Sequence, residues 1–391
     1  MSATPAPFSE HMRELVAGGP PELPVAWAEW ERLAYERCSA DARAFVEGGA
    51  GTGATMRANR EAFERRRIVP RVLRDVSARS HARDVLGMRL AAPIMLAPIG
   101  AQSLMLDGAE LASARAAAEL GLAFAVSTPS SCTLEEVAEA VRPLAPAPKL
   151  FQLYWPDDDR ELAASLVARA EAAGYDVLVV TVDMGNAPWR PADLARAFVP
   201  WTRGLGIANL AADPVFRGRL ARPPEEDPEA ALPAFLRAFS NPGLHWEDLA
   251  WMRETTSLPI VLKGIQHPDD ARMAVEAGVD GIVVSNHGGR QVDGAIGSLD
   301  ALPAVVEAVG GRVEVLFDSG VRSGSDVLKA LALGARAVLV GRPYLWGLAL
   351  AGEDGVRAVL RALLAELDAT LGLAGYASVD ELSPAALAPL A

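Results

Sequence analysis

Two cysteines, Cys38 and Cys132, are all that this chain carries. They have no metal-ligand spacing and are too few for a disulfide framework. Such scarcity suits a reducing compartment, and a cytoplasmic location is the expectation. Both thiols read as small packing groups rather than reactive centres. Positive charge is also in deficit. Lysine and arginine number 37 against 50 aspartates and glutamates, a formal net charge of −13. That balance argues against nucleic acid or an anionic membrane surface as a main partner, while leaving room for a local basic pocket. No stretch reaches the roughly 18 uninterrupted apolar residues of a membrane span. The opening MSATPAPFSEHMRELVAGGPPELP lacks the charged-then-apolar order of an export signal. No repeat or low-complexity tract stands out beyond an alanine bias, which signals helix.

What is present is an apolar majority, 51% of 391 residues, enough for a sizeable core. From Ile94 onward, short apolar runs alternate with helical stretches. The runs are IMLAP (94–98), FAVS (124–127), LFQLYW (150–155), VLVVTVD (177–183), PIVLKG (259–264), GIVVSNH (281–287), EVLFDSG (314–320) and AVLVGR (337–342). Continuous apolar strands joined by helices imply a parallel sheet buried on both faces. Eight such units predict an α/β protein with a (β/α)8 TIM barrel. The helix DVLKALALGA is expected to stop at Gly334. The chain reads as a single domain. It comprises an N-terminal helical extension (1–90), the barrel (91–371) and a C-terminal tail (372–391). A Pro-, Gly- and Arg-rich insertion after the fourth strand (184–245) reads as a lid, its middle (218–232) as solvated loop.

Chemistry in such barrels gathers where strands end. The most informative end is SNHGGRQVDG, Ser285 to Gly294. It sets His287 three positions before Arg290. An imidazole can take a proton while a guanidinium holds a carboxylate by two hydrogen bonds. The other ends supply Pro98, Ile99 and Gly100, then Ser127, Gln152, Tyr154, Thr181 and Asp183, with Arg190 beyond. Lys263 follows four apolar residues, so an anionic partner is expected for it. DSGVRSG and GR place Asp318, Ser319, Gly320, Arg322, Gly341 and Arg342 at the last two ends, before helix starts. Backbone N–H groups, a helix N-terminus and arginine together suit a phosphate.

These residues carry a resemblance. FQLYW, TVD with Arg190 beyond it, LPIVLKGI, GIVVSNHGGRQ, LFDSGVRSGSDVLKALALGA and GRPYLWGLA resemble the FMN-dependent L-2-hydroxy acid oxidase and dehydrogenase family. Its members include glycolate oxidase, lactate oxidase and mandelate dehydrogenase. The details WRPADL, DPVF and GIQHPDDARMAVEAGVDGI are most similar to the lactate 2-monooxygenase branch.

The resemblance implies FMN as cofactor, held by the Pro98–Ile99–Gly100 backbone, Ser127, Gln152, Thr181, Lys263 and Ser285. Its phosphate would lie on Asp318, Ser319, Gly320 and Arg322, with Gly341 and Arg342. His287 would be the base and Asp183 its partner. Arg190 and Arg290 would bind the substrate carboxylate, with Tyr154 near the hydroxyl. The partners expected are a small 2-hydroxy acid and oxygen or another electron acceptor. A homotetramer is the family's habit, and no metal is implied. The products would be a keto acid with hydrogen peroxide, or a decarboxylated acid as in the monooxygenase.

Several positions depart from the family pattern. Phe45, in RAFVEGGAG, stands where a tyrosine touches the substrate carboxylate. MGNAPWR replaces the usual threonine-proline pair after Asp183, with the register to Arg190 kept. Gly100 stands where several oxidases carry alanine, which would leave less bulk beside the flavin. Ser319 replaces a common glycine. Alternative readings are a dehydrogenase of a larger acid such as mandelate with a non-oxygen acceptor, a flavin-barrel isomerase, and a non-catalytic FMN-binding protein.

Overall fold

The computed structural model describes residues 7–389 apart from 20, 145, 157 and 158. Four helices come first: α1 (Pro7–Ala17), α2 (Trp27–Arg37), α3 (Ala40–Glu47) and α4 (Ala54–Glu64). A short strand β1 (Arg66–Ile68) follows, and the hairpin β2 (Arg83–Val85) and β3 (Met88–Leu90) leads into the barrel. The eight barrel strands are β4 (Ile94–Leu96), β5 (Ala123–Ser127), β6 (Lys149–Tyr154), β7 (Val177–Thr181), β8 (Ile260–Ile265), β9 (Gly281–Val284), β10 (Glu314–Phe317) and β11 (Ala337–Val340). Each pairs in parallel with its sequence neighbours, and β11 closes on β4. The expected barrel is therefore the observed one.

Strand residues alternate between two apolar clusters, as the period of two requires. Ile94, Leu96, Phe124, Val126, Phe151 and Leu153 face the surrounding helices. Met95, Ala123, Ala125, Leu150, Val179, Val261 and Leu339 fill the barrel interior. The hairpin plugs that interior from below, since Val85, Leu86, Met88 and Leu90 belong to the same inner cluster. The chemistry is thereby left to the opposite mouth.

Helices α5 (Ala109–Glu119), α6 (Leu134–Val141) and α7 (Arg160–Ala172) follow the first three barrel strands. After β7 the insertion carries α8 (Pro191–Leu194), α9 (Ala208–Ala211), α10 (Pro214–Gly218) and α11 (Pro228–Ala238), and α12 (Asp248–Thr255) follows it before β8. The solvated loop expected at 218–232 is corrected here in its second half. Asp227 accepts a hydrogen bond from Ala230 N at 3.1 Å, and Pro228 opens α11. This helix buries Ala231, Phe235 and Ala238, and Phe235 packs on Phe216 at 4.7 Å between ring centroids. The remaining helices are α13 (Pro268–Glu276), α14 (Ser298–Val309), α15 (Gly324–Ala332) and α16 (Arg342–Leu373), the last kinked at Ala351 and Gly352. α15 ends just before Gly334, whose φ of +105° an L side chain rarely adopts. The strand β12 (Leu387–Pro389) pairs back antiparallel with β1, tying the end of the chain to the N-terminal extension. None of the described helices is long and apolar enough to cross a membrane.

Candidate active site

The C-terminal ends of six neighbouring strands carry a belt of buried polar side chains. Ser127 on β5 donates to Gln152 on β6, and Gln152 Nε2 donates to Thr181 Oγ1 on β7 at 2.6 Å. On β8, Lys263 is only 4% exposed. Its ammonium lies 3.1 Å from Ser285 Oγ after β9 and 3.2 Å from Asp318 Oδ2 after β10. A buried ammonium needs such a counter-charge. Burial alone would lower the Lys263 pKa, but Asp318 and Asp183 outweigh it and hold it above the usual lysine value. Lys263 thus has an anionic partner within the protein, as its place in the sequence called for. Asp318, only 6% exposed, closes this belt. Its carboxylate serves Lys263 and accepts from Ser319 Oγ at 2.7 Å.

Above this belt, at the mouth of the barrel, is a cavity of about 140 Å³ that opens to solvent. Pro98, Ile99 and Gly100 line it from the β4 end, Tyr154 from β6, and Lys263 from β8. His287, Arg290, Ser319, Gly320, Arg322, Gly341 and Arg342 line it from the last three ends, and Phe45 and Arg190 from the N-terminal extension and the insertion. Ser127, Gln152, Thr181 and Ser285 lie beneath this surface rather than on it. Asp183 also stands behind the lining, reached through His287.

Three side chains form a line suited to moving a proton. His287 Nδ1 is 3.0 Å from Asp183 Oδ1, and His287 Nε2 is 3.4 Å from the Tyr154 hydroxyl. A carboxylate can only accept, so the Nδ1 edge carries the proton and Nε2 is left as the basic atom. Burial pushes the His287 imidazole below its ordinary value, with Asp183 pulling the other way. Asp183 is raised by burial, but His287 and Lys263 overcome that and keep it below the usual carboxylate range. His287 takes φ +59°, and Gly288 and Gly289 follow at +66° and +77°. The strained turn is anchored by His287 N donating to Ser285 Oγ at 3.0 Å and Gly288 N donating to Ser319 Oγ at 2.9 Å. Ser319, itself at φ +84°, thus uses its hydroxyl where a glycine has none.

Four arginines converge on this cavity. Arg290 donates to the carbonyls of Phe45 and Gly48, and Arg342 to that of Val46 at 2.7 Å. The C-terminal end of α3, negative by its helix dipole, therefore orients both guanidinium groups. Arg290 also lies 5.0 Å from the centre of the Phe45 ring. Arg322 donates to Val321 O and stacks 5.2 Å over Trp346. Among the described residues, Arg290, Arg322 and Arg342 have no carboxylate within 4.0 Å. Burial, then the Arg342 charge, pushes Arg322 down to about 10. Buried, unpaired cations in one cavity make a site for anions.

Comparison with known proteins shows the family. The family described as "FMN-dependent dehydrogenase" matches residues 34–389. The chain belongs to that family. It is 43% identical over 372 residues to an L-lactate oxidase of Lysinibacillus sphaericus, covering 95% of this chain and 94% of that one. It is 44% identical to the 4-hydroxymandelate oxidase of Amycolatopsis orientalis, covering 91% and 96% of the two chains. It is 40% identical to human 2-hydroxyacid oxidase 2, covering 92% and 97%. A crystal structure of mandelate oxidase superposes with a TM-score of 0.82 at 41% identity, covering 94% of this chain and 99% of that one. The protein is an FMN-dependent enzyme that oxidises 2-hydroxy acids.

Two contributors to the site escaped the sequence reading. Gly264, at φ +118°, lies where β8 slips its register against β9, and a Cβ there would meet the Asp183 Cβ at 2.7 Å. Glycine within a strand marks such a bulge, and LKGI carried that signal. Gln291 is the second. It was visible in SNHGGRQ, but nothing in the spacing said what its amide would reach.

Proposed function

We propose that this enzyme converts an L-2-hydroxy acid with an apolar side chain to its 2-keto acid and passes the electrons to oxygen. The Asp183–His287–Tyr154 line beside Arg190 and Arg290 carries this reading. Arg190 and Arg290 bind the carboxylate. Tyr154 orients the hydroxyl. Nε2 of His287 removes the hydroxyl proton, and Asp183 stabilises the resulting imidazolium. Phe45, Pro129, Trp201 and Ile99 line the same cavity and supply an apolar wall for the rest of the substrate.

The unpaired arginines and exposed backbone of the last two strand ends suit the flavin phosphate. Ser319, Gly320, Arg322, Gly341 and Arg342 would hold it, with Pro98 to Gly100 along the ring system. Bound FMN accepts the electron pair that leaves with the α-hydrogen. Lys263 lines the same cavity and would supply positive charge that favours the reduced flavin. Ser285 holds that lysine, and Ser127, Gln152 and Thr181 would meet the ring edge. Hydrogen peroxide is the proposed second product, as oxidase chemistry requires. Retention of peroxide with the keto acid in a closed site would give the decarboxylated acid of a monooxygenase. The enzyme is proposed to act as a cytoplasmic homotetramer.

The test is anaerobic bleaching of the FMN-loaded protein by lactate, glycolate, mandelate and longer 2-hydroxy acids, then reoxidation in air. Bleaching by the apolar acids, fast reoxidation and one peroxide per keto acid are expected. A flavin that no hydroxy acid bleaches would overturn the reading. Bleaching with slow reoxidation would point to another acceptor. His287→Ala removes bleaching under this reading and leaves a flavin-barrel isomerase untouched.

A further inference from the structure

Arg190 does not stand alone at the cavity wall. Its Nε donates to the Arg290 carbonyl at 3.0 Å, and its Nη2 donates to Gln291 Oε1 at 2.7 Å. The same carboxamide turns its nitrogen the other way, and Gln291 Nε2 donates to the backbone carbonyl of Asp183 at 2.6 Å. The orientation of this amide is dictated by its neighbours. Only an oxygen can receive the guanidinium, and only an N–H can serve a carbonyl. Nη1 of Arg190 makes no side-chain hydrogen bond among the described residues, its nearest carboxylate being Asp193 Oδ2 at 4.0 Å.

Two facts make this arrangement more than packing. One edge of Arg190 is locked while the other is free for an incoming carboxylate. And the residue that receives the second bond is Asp183, whose side chain holds His287 3.0 Å away. A single carboxamide therefore joins the carboxylate clamp to the backbone of the base's partner. We infer that Gln291 is a positioning residue, which sets Arg190 for the substrate carboxylate in register with His287. The inference rests on the proposed role of Arg190 as carboxylate clamp.

The experiment compares Gln291→Met in two backgrounds, the otherwise unaltered protein and Arg190→Met, both loaded with FMN. Binding of the 2-keto acids pyruvate and phenylglyoxylate is followed by the flavin absorbance change, and KM and the flavin reduction rate by stopped flow. In the first background, keto acid binding and KM are expected to weaken about 10- to 100-fold, the size of a lost hydrogen bond to a charged group. The limiting reduction rate and the acid limb of its pH profile should stay within about threefold, a split that mere structural damage would not produce. With Arg190 already gone, Gln291→Met should weaken binding by less than about threefold, because residues acting through one another are not additive. Equal losses in both backgrounds, or a loss confined to the reduction rate, would overturn the inference. If Gln291→Met fails to fold, Gln291→Asn keeps the amide on a shorter stem and is held to the same non-additivity. Failure of the functional reading is separate: it appears as an unaltered protein that no hydroxy acid bleaches.

Discussion

The Cβ that Gly100 lacks would stand 2.7 Å from the carbonyl oxygen of Pro129 and 2.7 Å from its Cγ. The space released by this glycine is therefore filled by the neighbouring loop and is not spare room beside a flavin. Gly100→Ala is expected to destabilise the fold by about 1–3 kcal/mol, as overpacking does. Adding Pro129→Ala should recover part of this by removing the Cγ, while the carbonyl contact stays. Thermal unfolding of the single and double variants measures both. A Gly100→Ala variant as stable as the parent would show that the loop moves freely.

The expectation of less bulk at Gly100 shows where sequence reading runs short. A missing methyl is visible in the chain, but the partner that closes over it lies 29 positions away. Strand ends were legible because buried parallel strands are continuous apolar runs, and the residues following them must be polar. That logic found His287, Arg290, Lys263 and Arg322. It could not pair Lys263 with Asp318, because both stand at strand ends and the pairing depends on barrel order. The hairpin 83–90 escaped notice because it shares its apolar face with the barrel interior and has only three residues per strand.

Burial holds the His287 pKa below its ordinary 6.5, against the pull of Asp183. The base is therefore neutral at pH 7, and kcat/KM is expected to be flat there and to fall only below 6.5. Asp183→Asn removes a charge that raises the histidine. The acid limb should move to lower pH while the rate drops about 100-fold or more, since the imidazolium loses its partner. Stability follows the same sign. Between the folded value and 6.5 the unfolded chain binds more protons, so the contribution of His287 is present above 6.5 and is lost as pH falls through the folded value. An acid limb that rises in Asp183→Asn would contradict this arrangement.

Ser319 at φ +84° bears the strain of a left-handed serine, and its hydroxyl joins Gly288 N to Asp318. Ser319→Ala keeps the strain and loses these bonds and a longer one from Asn286 N at 3.4 Å, a cost of about 1–3 kcal/mol. Ser319→Gly loses the bonds but relieves the backbone, so it should be the more stable of the two by about 1 kcal/mol. Urea unfolding ranks them. FMN affinity, measured by flavin fluorescence, should fall less in the glycine variant, since the backbone facing the proposed phosphate site is kept. If alanine proves the more stable, the hydroxyl is not what holds this turn.

The Phe45 ring lies against Arg290 and lines the same cavity, while its carbonyl receives the arginine. Phe45→Tyr leaves the backbone contact and the ring in place and adds one hydroxyl at the cavity edge. A hydroxyl there can donate to a carboxylate bound between Arg190 and Arg290. KM for short hydroxy acids should then fall about 3- to 10-fold, the worth of about one hydrogen bond, with kcat changed little. For acids with large apolar side chains the gain should be smaller, because the new hydroxyl must be desolvated when that wall is covered. Phe45→Ala gives the opposite result: it strips the ring from Arg290 and should raise KM most for the apolar acids. Steady-state kinetics on lactate and mandelate separate these outcomes. An unchanged KM for both acids in both variants would place the carboxylate away from this end of α3.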